Sequence, residues 1–204
     1  MSDRSFVRFG GLAAILLALT SWAAVLTFYT AAAGGQDLVG VEMFRLFSAL
    51  IAFWSLFAIV AVHWVVRPHG EAWSFFAVIV GVTAAAATFV ASLYPIAFTR
   101  HLLRDPIDVN VALPTAVPPT DPLNAMTFGL TGLWFLIANL LLSRAAVPRR
   151  LALLGLVGAI VLLGGFLAAL MAQDALVDSV ALAAGAVVGP VYWLWLGFVL
   201  RRMA

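Results

Sequence analysis

The 204-residue chain contains no cysteine and no lysine. Without thiols there is no disulfide, no thiolate nucleophile, no covalently attached haem and no iron–sulfur ligation. Without lysine there is neither a retinal Schiff base nor Lys-based covalent catalysis. Charge of either sign is scarce, with Asp, Glu and Arg together making up 10% of the residues. The formal charge of +2 therefore rests on arginine alone. Those arginines stand at the ends of apolar runs and form no solvated patch, the arrangement of membrane anchors and not of a nucleic-acid surface. What is abundant is apolar: 65% of the residues are hydrophobic and the mean hydropathy is +1.11. No stretch is left for a soluble catalytic domain.

Six runs carry no Asp, Glu, Lys or Arg. They lie between Arg8 and Asp37, Arg45 and Arg67, Glu71 and Arg100, Asp121 and Arg144, Arg150 and Asp174, and Asp178 and Arg201, and they are 28, 21, 28, 22, 23 and 22 residues long. A helix crosses about 30 Å of hydrocarbon with roughly 20 residues, so each run is long enough to span a bilayer. The runs are apolar all round, whereas barrel strands alternate apolar with polar residues over about ten residues. The expected fold is all-α: one polytopic domain over 1–204 with six transmembrane helices near 6–33, 39–66, 72–99, 122–142, 151–172 and 180–200. Short connections at 34–38, 67–71, 143–150 and 173–179 make successive helices antiparallel neighbours. The loop 100–121 is the exception. Pro106, Pro114, Pro118 and Pro119 exclude a continued helix there, and the segment reads as a tether between two three-helix halves or as a lid. No internal repeat is legible, which argues against a secondary transporter.

Orientation follows from arginine placement. With the N-terminus in the cytoplasm, that side collects Arg4, Arg8, Arg67, Arg144, Arg149, Arg150, Arg201 and Arg202, against Arg100 and Arg104 outside, so both termini are expected to be cytoplasmic. Arg4 and Arg8 ahead of an apolar run superficially suggest a signal peptide. The run is longer than a secretory core of about 7–15 residues and reads as a first span that stays in place. Abundant Ala, Leu, Val and Arg with no Lys hints at a GC-rich bacterial source, hence an expected location in the inner membrane.

Helices associate in lipid through close packing, so small residues mark contact faces. Ala181, Gly185 and Gly189 recur every four residues in the last span, and Gly129, Gly132, Gly155, Gly158, Gly164 and Gly165 stud the fourth and fifth. Spans four to six are expected to pack tightly, with Gly185 and Gly189 at a helix contact. None of these glycines forms a phosphate loop, since no strand precedes and no lysine follows them. Pro190 displaces the carbonyl of Ala186 and should kink the last span, as Pro95 should the third. Trp64 and Trp73 suit an interfacial belt, while Trp22, Trp54, Trp134, Trp193 and Trp195 fall inside the hydrocarbon zone, where they fill a core, face lipid or line an apolar pocket.

Intramembrane ionisable groups are the strongest functional pointers in such a chain. Glu42 and Arg45, three residues apart at the outer end of span two, are spaced to pair. With Tyr94, Arg100, His101 and Arg104 they make a candidate outward-opening polar recess. At the inner end, His63 lies on the Arg45 face of the same helix and at the depth of Asn139, a second candidate cluster. Thr20, Ser21, Thr83, Thr88, Ser92 and Asn139 are compatible with hydrogen bonds between helices. His63, His69 and His101 lie at different depths, so neither a metal site nor a bis-histidine haem is expected. No catalytic set of nucleophile, base and orienting group is readable.

Local features resemble the bacterial membrane proteins grouped as domain-of-unknown-function family 4386. They are Arg8-Phe9-Gly10-Gly11 opening span one, a second span starting near an arginine and ending before Arg67-Pro68, and Gly132-Leu133 leading to Leu141-Leu142. Val147-Pro148-Arg149-Arg150-Leu151 opens span five, and Trp193 to Gly197 closes the last span. The resemblance covers most of the chain, implies a six-helix membrane protein and supplies no catalytic residues. The expected function is a non-enzymatic one: a structural or accessory subunit, or a protein binding an apolar ligand such as a lipid or a quinone-like molecule. A small-molecule transporter or channel, and an intramembrane enzyme acting on a lipid headgroup, are the alternatives. Partners are expected among membrane lipids and other membrane subunits, with no cofactor and no nucleic acid.

Overall fold

The computed structural model describes residues 3–32, 38–102 and 122–204, all of the regular structure in them helical. Helix α1 is Asp3–Thr27, followed by a π-helical stretch Phe28–Ala32; α2 is Leu38–Val66; a 3-10 turn, Arg67–His69, leads to α3, Glu71–Leu102. Helices α4, Pro122–Leu142, and α5, Arg149–Leu170, follow. The last crossing is divided into α6, Asp174–Leu182, a π-helical turn Ala183–Val188, and α7, Gly189–Met203. Six helical runs, Arg4–Thr30, Leu38–His69, Glu71–Phe98, Ala125–Leu142, Arg149–Leu170 and Ala175–Met203, are long and apolar enough to cross a membrane.

The last helix starts earlier than the sequence suggests. Residues 174–179 were expected in a connection, yet Asp174 opens α6. The preceding helix is closed by a Schellman arrangement, Gln173 N–H donating to Ala168 O at 2.9 Å and Ala172 N–H to Ala169 O at 3.1 Å.

The interior combines large side chains from α4 and α7, Trp134, Leu142, Tyr192 and Leu196, with small ones at the other helix contacts: Ala13, Ala14 and Ala18 of α1, Ala58 and Ala61 of α2, Ala84 and Ala85 of α3, and Ala152 and Ala159 of α5. Phe75, Ile160, Leu26 and Leu170 point outward, each at least 60% exposed. Small residues let helix backbones approach, and in lipid the large apolar residues need no burial. Helix hydroxyls are satisfied locally: Thr20 donates to Leu16 O, Ser21 to Leu17 O, Thr88 to Ala84 O and Ser92 to Thr88 O. None of these four bridges helices as their positions had suggested. In hydrocarbon the carbonyl one turn back is the partner always within reach.

The helices pack in the cyclic order α1, α2, α3, α4, α5, then the α6–α7 crossing, which closes onto α1. The tightest approach is at this closure. A methyl placed on Gly11 would lie 2.8 Å from the carbonyl oxygen of Gly197, and one on Gly197 would lie 2.7 Å from that of Gly11. This contact, near the start of the first helix and the end of the last, brings the two termini to one end of the bundle. Gly10 is equally constrained, since a methyl there would collide with Ala61 of α2.

The expected contact at Gly185 and Gly189 is not where helices meet closely. A methyl on Gly185 would have only Val25 within reach, at 3.8 Å, and one on Gly189 would meet the carbonyl of Ala184 in its own π turn at 2.5 Å. The four-residue stripe fails as a guide because the π turn rotates successive residues off a common line. Spans four and five do pack tightly, with Gly132 against Leu163, whereas α7 lies mainly on α1.

Candidate functional site

At the end of the bundle opposite the termini, Arg100 of α3 reaches Glu42 of α2. Its Nε donates to Oε1 at 2.8 Å and an Nη to Oε2 at 2.7 Å, a bidentate pair. The two bonds raise the Arg100 guanidinium above its ordinary value. Glu42 thus takes its ion-pair partner from the next helix and not from Arg45, three residues on in its own. Arg45 is half-buried with its guanidinium carbon 5.7 Å from the Phe44 ring centre. Tyr94 stacks on Phe98 at 5.6 Å and is exposed, as is His101. Arg104 and the loop 103–121 lie outside the described residues. The feature drawn together from the expected recess is therefore the Glu42–Arg100 pair, and both carboxylate oxygens are engaged in it.

At the termini end, His63 and Asn139 take different partners. His63 Nδ1 lies 2.6 Å from Ser74 Oγ across the α2–α3 turn, in which Arg67 pairs with Glu71 at 2.6 Å. Asn139 is fully buried. Its Nδ2 donates to Phe135 O at 2.8 Å, and its Oδ1 accepts from the Tyr192 hydroxyl at 3.1 Å. Gly155 of α5 makes the space, since a methyl there would collide with the Asn139 amide. One polar junction so ties α4, α5 and α7, and the expected His63–Asn139 cluster resolves into two separate pairs.

Above this junction an aromatic cluster fills the bundle. Trp134 and Trp193 stack at 5.2 Å and 16°, and Phe135 and Tyr192 pack edgewise against Trp193 and tilted against each other. Trp134 retains 2% exposure and Trp193 7%. Trp22 has another role: its indole N–H donates at 3.0 Å to the carbonyl of Ala186, the group left without a helical donor by Pro190.

Beside the Trp134–Trp193 stack lies a cavity of about 90 Å³. Leu17, Ile51, Ala52, Ile59, Gly81, Ala84 and Ala85 form its apolar walls, and Ser55, Thr88 and Thr131 bring hydroxyls to it. It is a mid-bundle chamber shared by α1, α2, α3, α4 and α7. Gly81 helps to shape it, since a methyl there would lie 2.5 Å from Trp134 Cδ1 and 3.0 Å from Ile59 Cγ2. Sequence reasoning offered an apolar pocket as one setting for Trp134 and Trp193 and placed none of the other lining residues in a site. The available signal was the pair of mid-membrane tryptophans, coupled with the Ala and Gly run of the third span. Among the described residues no cluster of three or more His, Asp or Glu side chains is placed to hold a metal ion.

Comparison with family models, with curated proteins and with solved structures finds no match for this chain.

Proposed function

We propose that this chain is a multi-pass membrane protein that binds a small apolar ligand within the bundle. The carrying observation is the cavity beside the Trp134–Trp193 stack. Buried aromatic walls with a few placed polar groups are the usual composition of a ligand site. The outer ion pair supports binding less well, because Glu42 and Arg100 already satisfy one another.

Bromoethane, a small heavy-atom quencher, tests this reading on the protein in detergent. Tryptophans facing detergent are quenched in proportion to added bromoethane, whereas a bound guest beside Trp134 and Trp193 adds a saturable component. Ala85→Leu, which fills the cavity, should remove that component while helicity and melting are retained, and Ala52→Val should weaken it. A wild type without saturable quenching, or a filled variant that quenches unchanged, refutes the reading.

A further inference from the structure

We propose that the cavity recognises a carbonyl oxygen on its small apolar ligand, through the indole N–H of Trp134 and the hydroxyl of Thr131. This inference rests on the ligand-binding reading above.

Most hydroxyls of the spanning helices donate to a carbonyl of their own helix, Ser55 and Thr88 on the cavity wall among them at 2.7 and 2.9 Å, while Ser74 pairs with His63. Among the described residues neither the Thr131 hydroxyl on the cavity wall nor that of exposed Thr83 has a hydrogen-bond partner. The same holds for Trp134, although Trp22 shows that an indole N–H in this bundle takes an acceptor when one is in reach. Trp134 is 2% exposed, and its Nε1 edge is directed at Gly81, where a methyl would lie 3.0 Å from it. Gly81, Thr131 and Trp134 all line the cavity. Thr131 and Trp134 are three residues apart on α4, so they share one helix face.

Trp134 is buried and Thr131 half-buried, and two donors with no protein acceptor on the wall of an apolar cavity take theirs from whatever fills it. A carbonyl oxygen carries two lone pairs and can serve both at once. Water serves the pair less completely. Water molecules fit the cavity by size, but each needs two to four polar partners. Its remaining walls are Leu17, Ile51, Ala52, Ile59, Ala84 and Ala85, and the Ser55 and Thr88 protons are already committed. A compact ketone, aldehyde or ester group flanked by apolar atoms matches both the two donors and the apolar remainder.

Butanone and isopentane test this directly, because they differ by a methyl in place of the carbonyl oxygen. Each is used to displace bromoethane from the purified protein, with its partitioning into protein-free micelles measured separately. After correction for partitioning, butanone should bind about tenfold more tightly than isopentane. Thr131→Val keeps the shape and removes the hydroxyl, so it should lower that preference about threefold or more while leaving isopentane binding unchanged. Trp134→Phe should lower it as well. Equal binding of the two guests, or a preference untouched by Thr131→Val, overturns the carbonyl assignment and leaves the ligand-binding reading standing. Absence of any saturable bromoethane quenching, the result for a cavity filled by water, overturns both.

Discussion

The Asn139 side chain concentrates more consequence than any other single residue described. It is wholly buried, and its oxygen holds the Tyr192 hydroxyl while its nitrogen holds the Phe135 carbonyl. Hydrogen bonds between membrane helices average about 0.6 kcal/mol and reach about 1.7, so Tyr192→Phe should cost about 1 kcal/mol in detergent unfolding. Asn139→Ala should cost about 3, because it strands the tyrosine hydroxyl and leaves a void against Gly155. In the double variant the loss should be smaller than the sum of the singles, since the shared bond can be lost only once. Additivity to within about 0.3 kcal/mol would show that the 3.1 Å contact carries no coupling.

Two features of the elements can be tested separately. Ala172 adopts φ 53° at the position after α5 where a Schellman ending places its left-handed residue. A side chain there is strained by about 1 kcal/mol or more, so Ala172→Gly should raise unfolding stability by about 1 kcal/mol. A neutral or destabilising result would mean that the strain is absent. The second feature is the contrast between glycines that look alike in sequence. Gly197→Leu must force α7 away from α1 and should prevent recovery of folded protein, whereas Gly185→Leu should change stability by less than about 0.5 kcal/mol. Equal tolerance of the two would contradict the closeness of the α1–α7 crossing. The π turn Ala183–Val188 belongs to the same scale. Pro190 removes a donor, the turn rearranges around the loss, and Trp22 supplies a replacement from α1.

For the whole molecule, the ring of six crossings places both termini at one end, and arginine asymmetry gives the direction. We expect that end to be cytoplasmic, because Arg4, Arg8, Arg67, Arg144, Arg149, Arg150, Arg201 and Arg202 belong to it. The chain has no native cysteine, so single cysteines report cleanly. In intact cells an impermeant maleimide should leave cysteines beside Arg4 and Arg202 unlabelled and label those placed at Asp37, Asp108 and Asp178. The opposite pattern would invert the orientation.

What the sequence determined by itself is whatever depends on depth. Charges are excluded from hydrocarbon and a crossing needs a minimum length, so the six crossings and the carbonyl freed by Pro190 could be read residue by residue. Which faces meet was left to the tertiary structure. When every face of a helix is apolar, periodicity marks no inner side, and neither helix rotation nor ring order is encoded in a stripe. Glu42 accordingly found Arg100, 58 residues away, in place of its neighbour Arg45. His63 found Ser74 and Asn139 found Tyr192, while Gly11 and Gly197 took the close contact that spacing had assigned to Gly185 and Gly189. The cavity is the extreme case. It exists only where five helices fail to fill the space between them, with Gly81 giving room to one side of Trp134 and Thr131 on the wall, and no one-dimensional pattern records such a gap.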